Sequence, residues 1–287
     1  MVLLLWWCTM MLLRCNTDKL KFCVSSSSPP FGEQELHVHD ACELYYLIKG
    51  NGYYVTEGTR YDFVPGMILL MRPGESHCAV RFDSASYERI SIHFHPSIVD
   101  SLDSERHILR TFYNRTMGTR NYYNQEMLAN TNIYQYLEKM AVPCGDAYAQ
   151  SVRVLSYLLP VLTELGEVFD KNTAPAMDKN ALLIHDILDF INQNLSTSLS
   201  VDVVCNKFFI SRIQLYRIFK KATEMNVWEY IVLKRLVLAR SMINDGMSAG
   251  EAAKACGFAD YSTFYRAYVA KYGAPPSGIH RNNKRSR

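Results

Sequence analysis

Two pentapeptides decide the reading of this chain: Leu215-Tyr216-Arg217-Ile218-Phe219 and Phe264-Tyr265-Arg266-Ala267-Tyr268. They lie 49 residues apart and match in kind: apolar, tyrosine, arginine, apolar, aromatic. In a helix the first and fifth positions share a face, so each copy offers an apolar contact inward and turns its arginine outward. A short helical run precedes each copy. Cys205 stands ten residues before Leu215, and Ala253 eleven before Phe264. Two short helices with a small residue at their crossing and a tight turn between them form a helix-turn-helix. Ser211 with Gln214 reads as a capping box opening a helix at Arg212, and Asp260 caps a helix over Tyr261–Tyr272. Ser248 with Glu251 is another capping box, Gly273 closes the last helix, and Pro275-Pro276 forbids its continuation. A longer helix, Trp228–Asn244, joins the two copies.

The charge is split to match. Residues 1–178 carry 15 Lys+Arg against 20 Asp+Glu, whereas residues 179–287 carry 16 against 8. A basic segment holding the repeat points to a polyanion as partner of that half alone. With 48% hydrophobic and 12% aromatic residues, a disordered chain is excluded. The eight cysteines form no C-x-x-C pair, which excludes a zinc ribbon or a thioredoxin motif and suggests reduced, buried thiols of a cytoplasmic protein.

Working outward, Ile184, Ile187, Leu188, Ile191 and Leu195 mark one further amphipathic helix. Lys171-Asn172-Thr173-Ala174-Pro175 is a polar break. Before it, Gln150–Phe169 has apolar residues at helical spacing, interrupted by Pro160, and Asp100–Leu109 and Asn124–Lys139 also read as helices. Six short runs rich in β-formers (Glu43–Ile48, Gly52–Thr56, Tyr61–Val64, Met67–Met71, His77–Phe82, Tyr87–Phe94) are separated by turn residues and read as a sandwich or barrel. Val2–Leu13 is uncharged but shorter than a membrane span of about 20 residues. It reads as a buried first element or as a start placed too far upstream, and no membrane partner is expected. Ser25–Pro30 (SSSSPP) reads as a linker. The expected class is α+β with two domains. Residues 1–30 form an N-terminal arm, 31–100 a strand-rich barrel, 101–170 a helical dimerisation region, 171–180 a linker, and 181–283 an all-α domain with two helix-turn-helix units.

The stretch from Ile184 to Arg281 resembles the AraC/XylS family of transcription regulators. The match is carried by Phe208 and Ser211-x3-Leu215-x-Arg217-x-Phe219-Lys220-Lys221; by Tyr230-Ile231-x3-Arg235-Leu236-x2-Ala239; and by Ala252-Ala253-x3-Gly257-Phe258-x-Asp260-x-Ser262-x-Phe264-x-Arg266, with Gly273-x2-Pro276-x4-Arg281 behind. Three positions depart from the family pattern: Glu224 replaces a turn glycine, Ala249 an isoleucine, and Val269 a basic residue. The resemblance implies a DNA-binding regulator, commonly an activator and therefore a partner of RNA polymerase, and not an enzyme.

Recognition helices read bases near their N-termini and bind phosphates along their flanks. Arg212, Ile213, Tyr216 and Arg217 face outward by spacing, and the family pattern places groove contacts at Ile213, Tyr216 and Arg217. Gln214 can pair with adenine or serve the cap. Lys220 and Lys221 suit phosphates, which position without specifying. In the second unit Tyr261, Ser262, Thr263 and Arg266 face out; Thr263 offers a methyl to thymine and Arg266 bonds guanine or phosphate. Double-stranded DNA is the expected partner.

His37-x-His39-x3-Glu43-x6-Gly50 matches the first cupin motif, and Gly66 with Pro73-Gly74-x2-His77 resembles the second. The strand-rich front therefore resembles a cupin-type jelly roll. His37, His39, Glu43 and His77 form a ligand set that suits zinc, iron, manganese or nickel. In a sensor of this family they are expected to touch a small effector, a sugar or sugar derivative, with no metal or cofactor required. The alternative function is a metal-dependent cupin enzyme whose helical tail serves only to dimerise. The apolar face of Gln150–Phe169, with Leu158 and Leu165, is the expected homodimer surface. The arm is expected to cover the barrel mouth when the effector binds.

Overall fold

The structure, a computed structural model, describes residues 9–29, 36–82, 86–100, 102–103, 105–172 and 179–276. Residues 1–8, Pro30, the middle of the expected linker (173–178) and Arg281 lie outside the described residues. The chain forms two compact units. One comprises residues 1–35 and 41–176, the other Leu36–Asp40 and residues 177–287.

Among the described residues, nine strands and four helices build the first unit: β1 (Thr9–Asn16), β2 (Leu20–Ser27), β3 (Cys42–Lys49), β4 (Gly52–Thr56), β5 (Thr59–Asp62), β6 (Ile68–Met71), β7 (His77–Arg81), β8 (Tyr87–Phe94), α1 (Ser97–Asp100), α2 (Arg110–Tyr113), β9 (Tyr122–Tyr123), α3 (Ile133–Ala141) and α4 (Ala147–Lys171). A six-stranded antiparallel sheet runs β1-β2-β8-β3-β6-β9, and a three-stranded one runs β5-β4-β7. Side chains alternate across the larger sheet, as the period of two requires. Leu44, Ile68, Leu70, Ile90, Ile92 and Phe94 bury one face in a core shared with Leu137, Leu158, Val161 and Leu165 of the helices. Tyr45, Leu47, Leu69 and Met71 occupy the other face, in a cluster with Tyr54 of the smaller sheet.

Several expectations change. Residues 9–27 are not an arm: β2 pairs with β1 on one side and with β8 on the other, from Leu20↔Phe94 to Ser27↔Tyr87. Leu20, Phe22 and Val24 bury every second residue, and the run of serines follows them into the ladder because pairing on both edges outweighs a loop-like composition. The region after residue 100 is less helical than expected. The described residues of 101–109 are mostly turns and bends, and Tyr122–Tyr123 adds a sheet edge beside β6. The helix expected over 124–139 begins only at Ile133. Conversely, α4 runs unbroken through Pro160. The carbonyl that Pro160 leaves without a donor belongs to Ser156, an exposed residue, so the lost bond falls on the solvent side of the helix.

The face of α4 expected to meet a second copy is used inside its own unit. Leu158, Val161, Leu162 and Leu165 are fully buried against the larger sheet and α3. An interface through Leu158 and Leu165 is thereby overturned. The polar ends of this core are tied by an ion pair: Arg115 donates to both Glu75 oxygens at 2.6 and 2.8 Å, with neither side chain exposed.

Over residues 179–276 the second unit is helical: α5 (Lys179–Gln193), α6 (Val201–Phe208), α7 (Arg212–Thr223), α8 (Val227–Asn244), α9 (Ala249–Ala255) and α10 (Tyr261–Tyr272). Helix α8 is the spine. Its Leu236, Ala239 and Ile243 pack with Ala252, Ala253, Cys256, Phe264 and Tyr268 of α9 and α10, and its Tyr230 meets Phe219 of α7 edge-on. Buried Arg235 donates to the carbonyls of Leu195 and Thr197, fastening the end of α5 to α8. Gly257 fits beside it because a Cβ there would lie 2.6 Å from the Leu195 carbonyl oxygen, and its φ of +78° is left-handed. The seven cysteines among the described residues are free thiols. Among the described residues no helix is long and apolar enough to cross a membrane.

Candidate functional site

The repeat seen in the sequence is a repeat of structure, cap by cap. Helices α7 and α10 are each 12 residues long and offset by 49 throughout. Ser211 accepts from the Gln214 N–H, and Asp260 from the Thr263 N–H. At the far ends Glu224 and Gly273 both adopt left-handed conformations and donate to the carbonyls of Lys220 and Val269. The turns differ by one residue. The N–H of Ile210 bonds Cys205 O and that of Phe258 bonds Ala253 O, so the extra residue falls before Asp260. This accounts for the spacing of ten in one unit and eleven in the other.

Leu215, Phe219, Phe264 and Tyr268 are buried, as their spacing requires. The opposite faces are open. Ile213, Gln214, Tyr216, Arg217, Lys220 and Lys221 are exposed on α7, and Tyr261, Ser262, Thr263 and Arg266 on α10. Ile213, 80% exposed, has no role in the fold that would hold an isoleucine there. Tyr265, equivalent to Tyr216, is also exposed, and its ring lies 6.1 Å from that of Tyr261. Sequence reasoning passed over Tyr265, although the 49-residue offset pointed to it.

Two of the outward residues have local duties. Arg212 forms a two-armed ion pair with Asp202 of α6 at 2.7 and 2.6 Å, bracing the first unit's two helices. That exposed pair holds the Asp202 carboxyl below its ordinary value. Lys220 donates to the Glu224 carbonyl oxygen at 2.7 Å and so caps its own helix. Ser211 makes the N-cap bond, and no return bond from the Gln214 side chain accompanies it, whereas Ser248 and Glu251 complete their box.

In the strand-rich unit Glu43 and His93 are direct cross-strand partners on β3 and β8. Glu43 Oε2 lies 3.0 Å from His77 Nε2 and 3.3 Å from His93 Nε2. Burial works against a charged His77, but the Glu43 carboxylate and the Glu75 carbonyl, 2.8 Å from Nδ1, outweigh it and raise its pKa. The Tyr54 ring stacks on His77 at 6.1 Å. Of the four expected residues, Glu43 and His77 meet within the strand-rich unit, whereas His37 and His39 lie outside the regular strands and group with the helical unit, their rings 6.1 Å apart. The Glu75 carbonyl fixes His77 so that Nε2 faces Glu43. His93, which sequence reasoning did not single out as a site residue, joins His77 on the Glu43 carboxylate.

Two family models match the chain. One, described as a helix-turn-helix domain, covers residues 204–282, and the other, described as an AraC-like ligand binding domain, covers residues 23–141. The Msm operon regulatory protein of Streptococcus mutans is 23% identical over 246 residues, 84% of each chain. The HTH-type transcriptional activator RhaS of Escherichia fergusonii is 21% identical over 253 residues, 87% of this chain and 88% of that one. The multiple antibiotic resistance protein MarA of Salmonella typhimurium is 30% identical over 98 residues, 34% of this chain and 77% of MarA.

Proposed function

The chain belongs to the AraC/XylS family of transcription regulators, DNA-binding proteins under effector control, and from that membership we propose how its residues divide the work. The N-terminal halves of α7 and α10 enter the major groove. Ile213, Tyr216, Arg217, Thr263 and Arg266 meet base edges, with Gln214, Tyr261 and Ser262 beside them. Lys220, Lys221 and Arg212 lie against phosphates, Arg212 while paired with Asp202. The observation that carries this reading is the cap-by-cap equivalence of α7 and α10, each exposing an arginine at the same place. A bundle needs buried faces to repeat; it has no need for its exposed residues to do so.

The effector, a sugar or sugar derivative, meets Glu43 and His77, whose side chains are held together in the strand-rich unit, with His37 and His39 as the further expected contacts. The protein acts in the cytoplasm as an activator that contacts RNA polymerase. It works as a homodimer through the second apolar stripe of α4. Tyr148 and Val152, 78% and 45% exposed, continue into half-buried Leu155 and Leu159 at helical spacing. A gel shift on the DNA upstream of its own gene, run beside metal analysis of the purified chain, tests the reading. A sequence-specific shift is expected. Bound metal with turnover and no shift would instead favour a cupin enzyme.

A further inference from the structure

Within the strand-rich unit, His77 and the end of α4 are joined by an unbroken run of contacts. His77 Nδ1 donates to the Glu75 carbonyl oxygen at 2.8 Å. The buried Glu75 carboxylate accepts from Arg115 Nη1 and Nη2 at 2.6 and 2.8 Å, and from the Gly118 N–H at 2.6 Å. Gly118 is fixed from its other side as well. Its carbonyl oxygen accepts from the Thr59 and Tyr61 hydroxyls at 2.7 and 3.2 Å. Two residues on, Arg120 reaches the end of α4. Its guanidinium carbon sits 3.5 Å from the Phe169 ring centroid, and its Nη2 donates to the carbonyl oxygens of Phe169 and Asn172. The last carbonyls of a helix lack intrahelical donors, and Arg120 supplies one. Asn172 is the C-cap of α4, and from it the chain leads on to the helical half.

Such a run transmits a change only if one element in it has two arrangements close in free energy. The Glu75–Arg115 end does not qualify, because both side chains are wholly buried and paired. The Arg120 grip does. Arg120 holds a φ of +53°, a left-handed conformation that costs an arginine free energy and recurs at switch regions. Letting go of α4 recovers that cost. Asp170 and Lys171 are exposed and Asn172 is half-buried, so water can serve the carbonyls of that turn once Arg120 withdraws.

We propose that this run of contacts is the route from the effector site to the linker. A change at His77 loosens Glu75 and the loop over residues 114–121, Arg120 releases the last turn of α4, and the freed turn lengthens the linker. The route rests on the reading that the effector meets Glu43 and His77, and it makes Arg120 the positioning residue between that site and the linker.

Peptide-resolved hydrogen–deuterium exchange of the full chain tests the route with no effector present. Arg120→Gln should raise exchange over residues 166–172 by at least about threefold, which a purely structural arginine would also do. His77→Ala separates the two roles. It should raise exchange over the same residues while α3 stays as in the parent, and in the Arg120→Gln background it should add nothing. Glu43→Gln keeps the shape at that end and removes the charge that holds His77, so it should act as His77→Ala does. Binding of a duplex carrying a selected site should, by reciprocity, change exchange over 166–172 in the parent and not in Arg120→Gln. The proposal is overturned if His77→Ala and Glu43→Gln leave residues 166–172 unaltered, if their effects add fully to that of Arg120→Gln, or if bound DNA leaves those residues unchanged. A positive His77→Ala result supports the route even where no sugar binds, an outcome that would sink the effector reading alone.

Discussion

Glu224 and Gly273 end two equivalent helices in the same left-handed conformation, at φ +59° and +68°, and only one of them is a glycine. A left-handed conformation costs an L-residue about 1–2 kcal/mol, which glycine avoids. Replacing Glu224 by Gly should therefore stabilise the chain by about 1 kcal/mol in urea denaturation, with the Lys220 contact to the backbone carbonyl retained. A loss of stability would mean that the Glu224 side chain holds more than its backbone costs. Phe209, left-handed at φ +55° and 96% exposed in the turn of the first unit, carries the same kind of strain. The ends of α7 and α10 were legible from sequence because caps are local: a serine or aspartate before a helix and a glycine after it act within four residues, whereas nothing in the sequence marked Phe209. The partnership of Glu43 with His93 was not legible. It depends on strand register across 50 residues, which no local pattern sets.

At the scale of elements, the sequence showed that α4 has an apolar face but not what that face meets, because periodicity reports amphipathicity and is blind to the partner. The partner is the unit's own sheet. Leu158→Lys with Leu165→Lys should therefore unfold the strand-rich unit rather than yield a folded monomer, since each change buries an unpaired charge in a packed core. Loss of the cooperative thermal transition is the expected readout, and a folded monomer would restore the interface that the structure overturns. Removing residues 1–30 would likewise take away two paired strands, not a free arm.

The Glu75–Arg115 pair sets the acid limit of the same unit. Burial alone would raise Glu75, but the Arg115 guanidinium and the N–H groups of Gly118 and Arg72 hold it at about 2. A carboxyl lowered on folding contributes stability that is fully present above its unfolded value, about 4.5, and is lost as pH falls toward its folded value. Stability should thus fall between about pH 4.5 and pH 2 by on the order of 3 kcal/mol. Glu75→Gln should flatten that limb at a cost in stability at neutral pH, because it leaves Arg115 buried without its counter-charge. An unchanged acid limb in the variant would assign it to other carboxylates.

For the whole molecule, the division into an acidic half and a basic half was legible as charge, and the two compact units follow it closely. The short segment Leu36–Asp40 is the exception, grouping with the helical unit although it lies within the strand-rich stretch. In the basic half, as proposed above, two equivalent helices would each present an arginine to DNA. Hydroxyl-radical footprinting on a selected binding site tests it most directly, with Arg217→Ala and Arg266→Ala beside the parent chain. Two protected stretches about one helical turn apart, 10–10.5 base pairs, are expected on one face of the duplex. Each substitution should weaken protection in one stretch and relax sequence preference there by about 1–3 kcal/mol. A single protected stretch, or two substitutions that weaken all sequences alike and change only the salt dependence, would contradict the account.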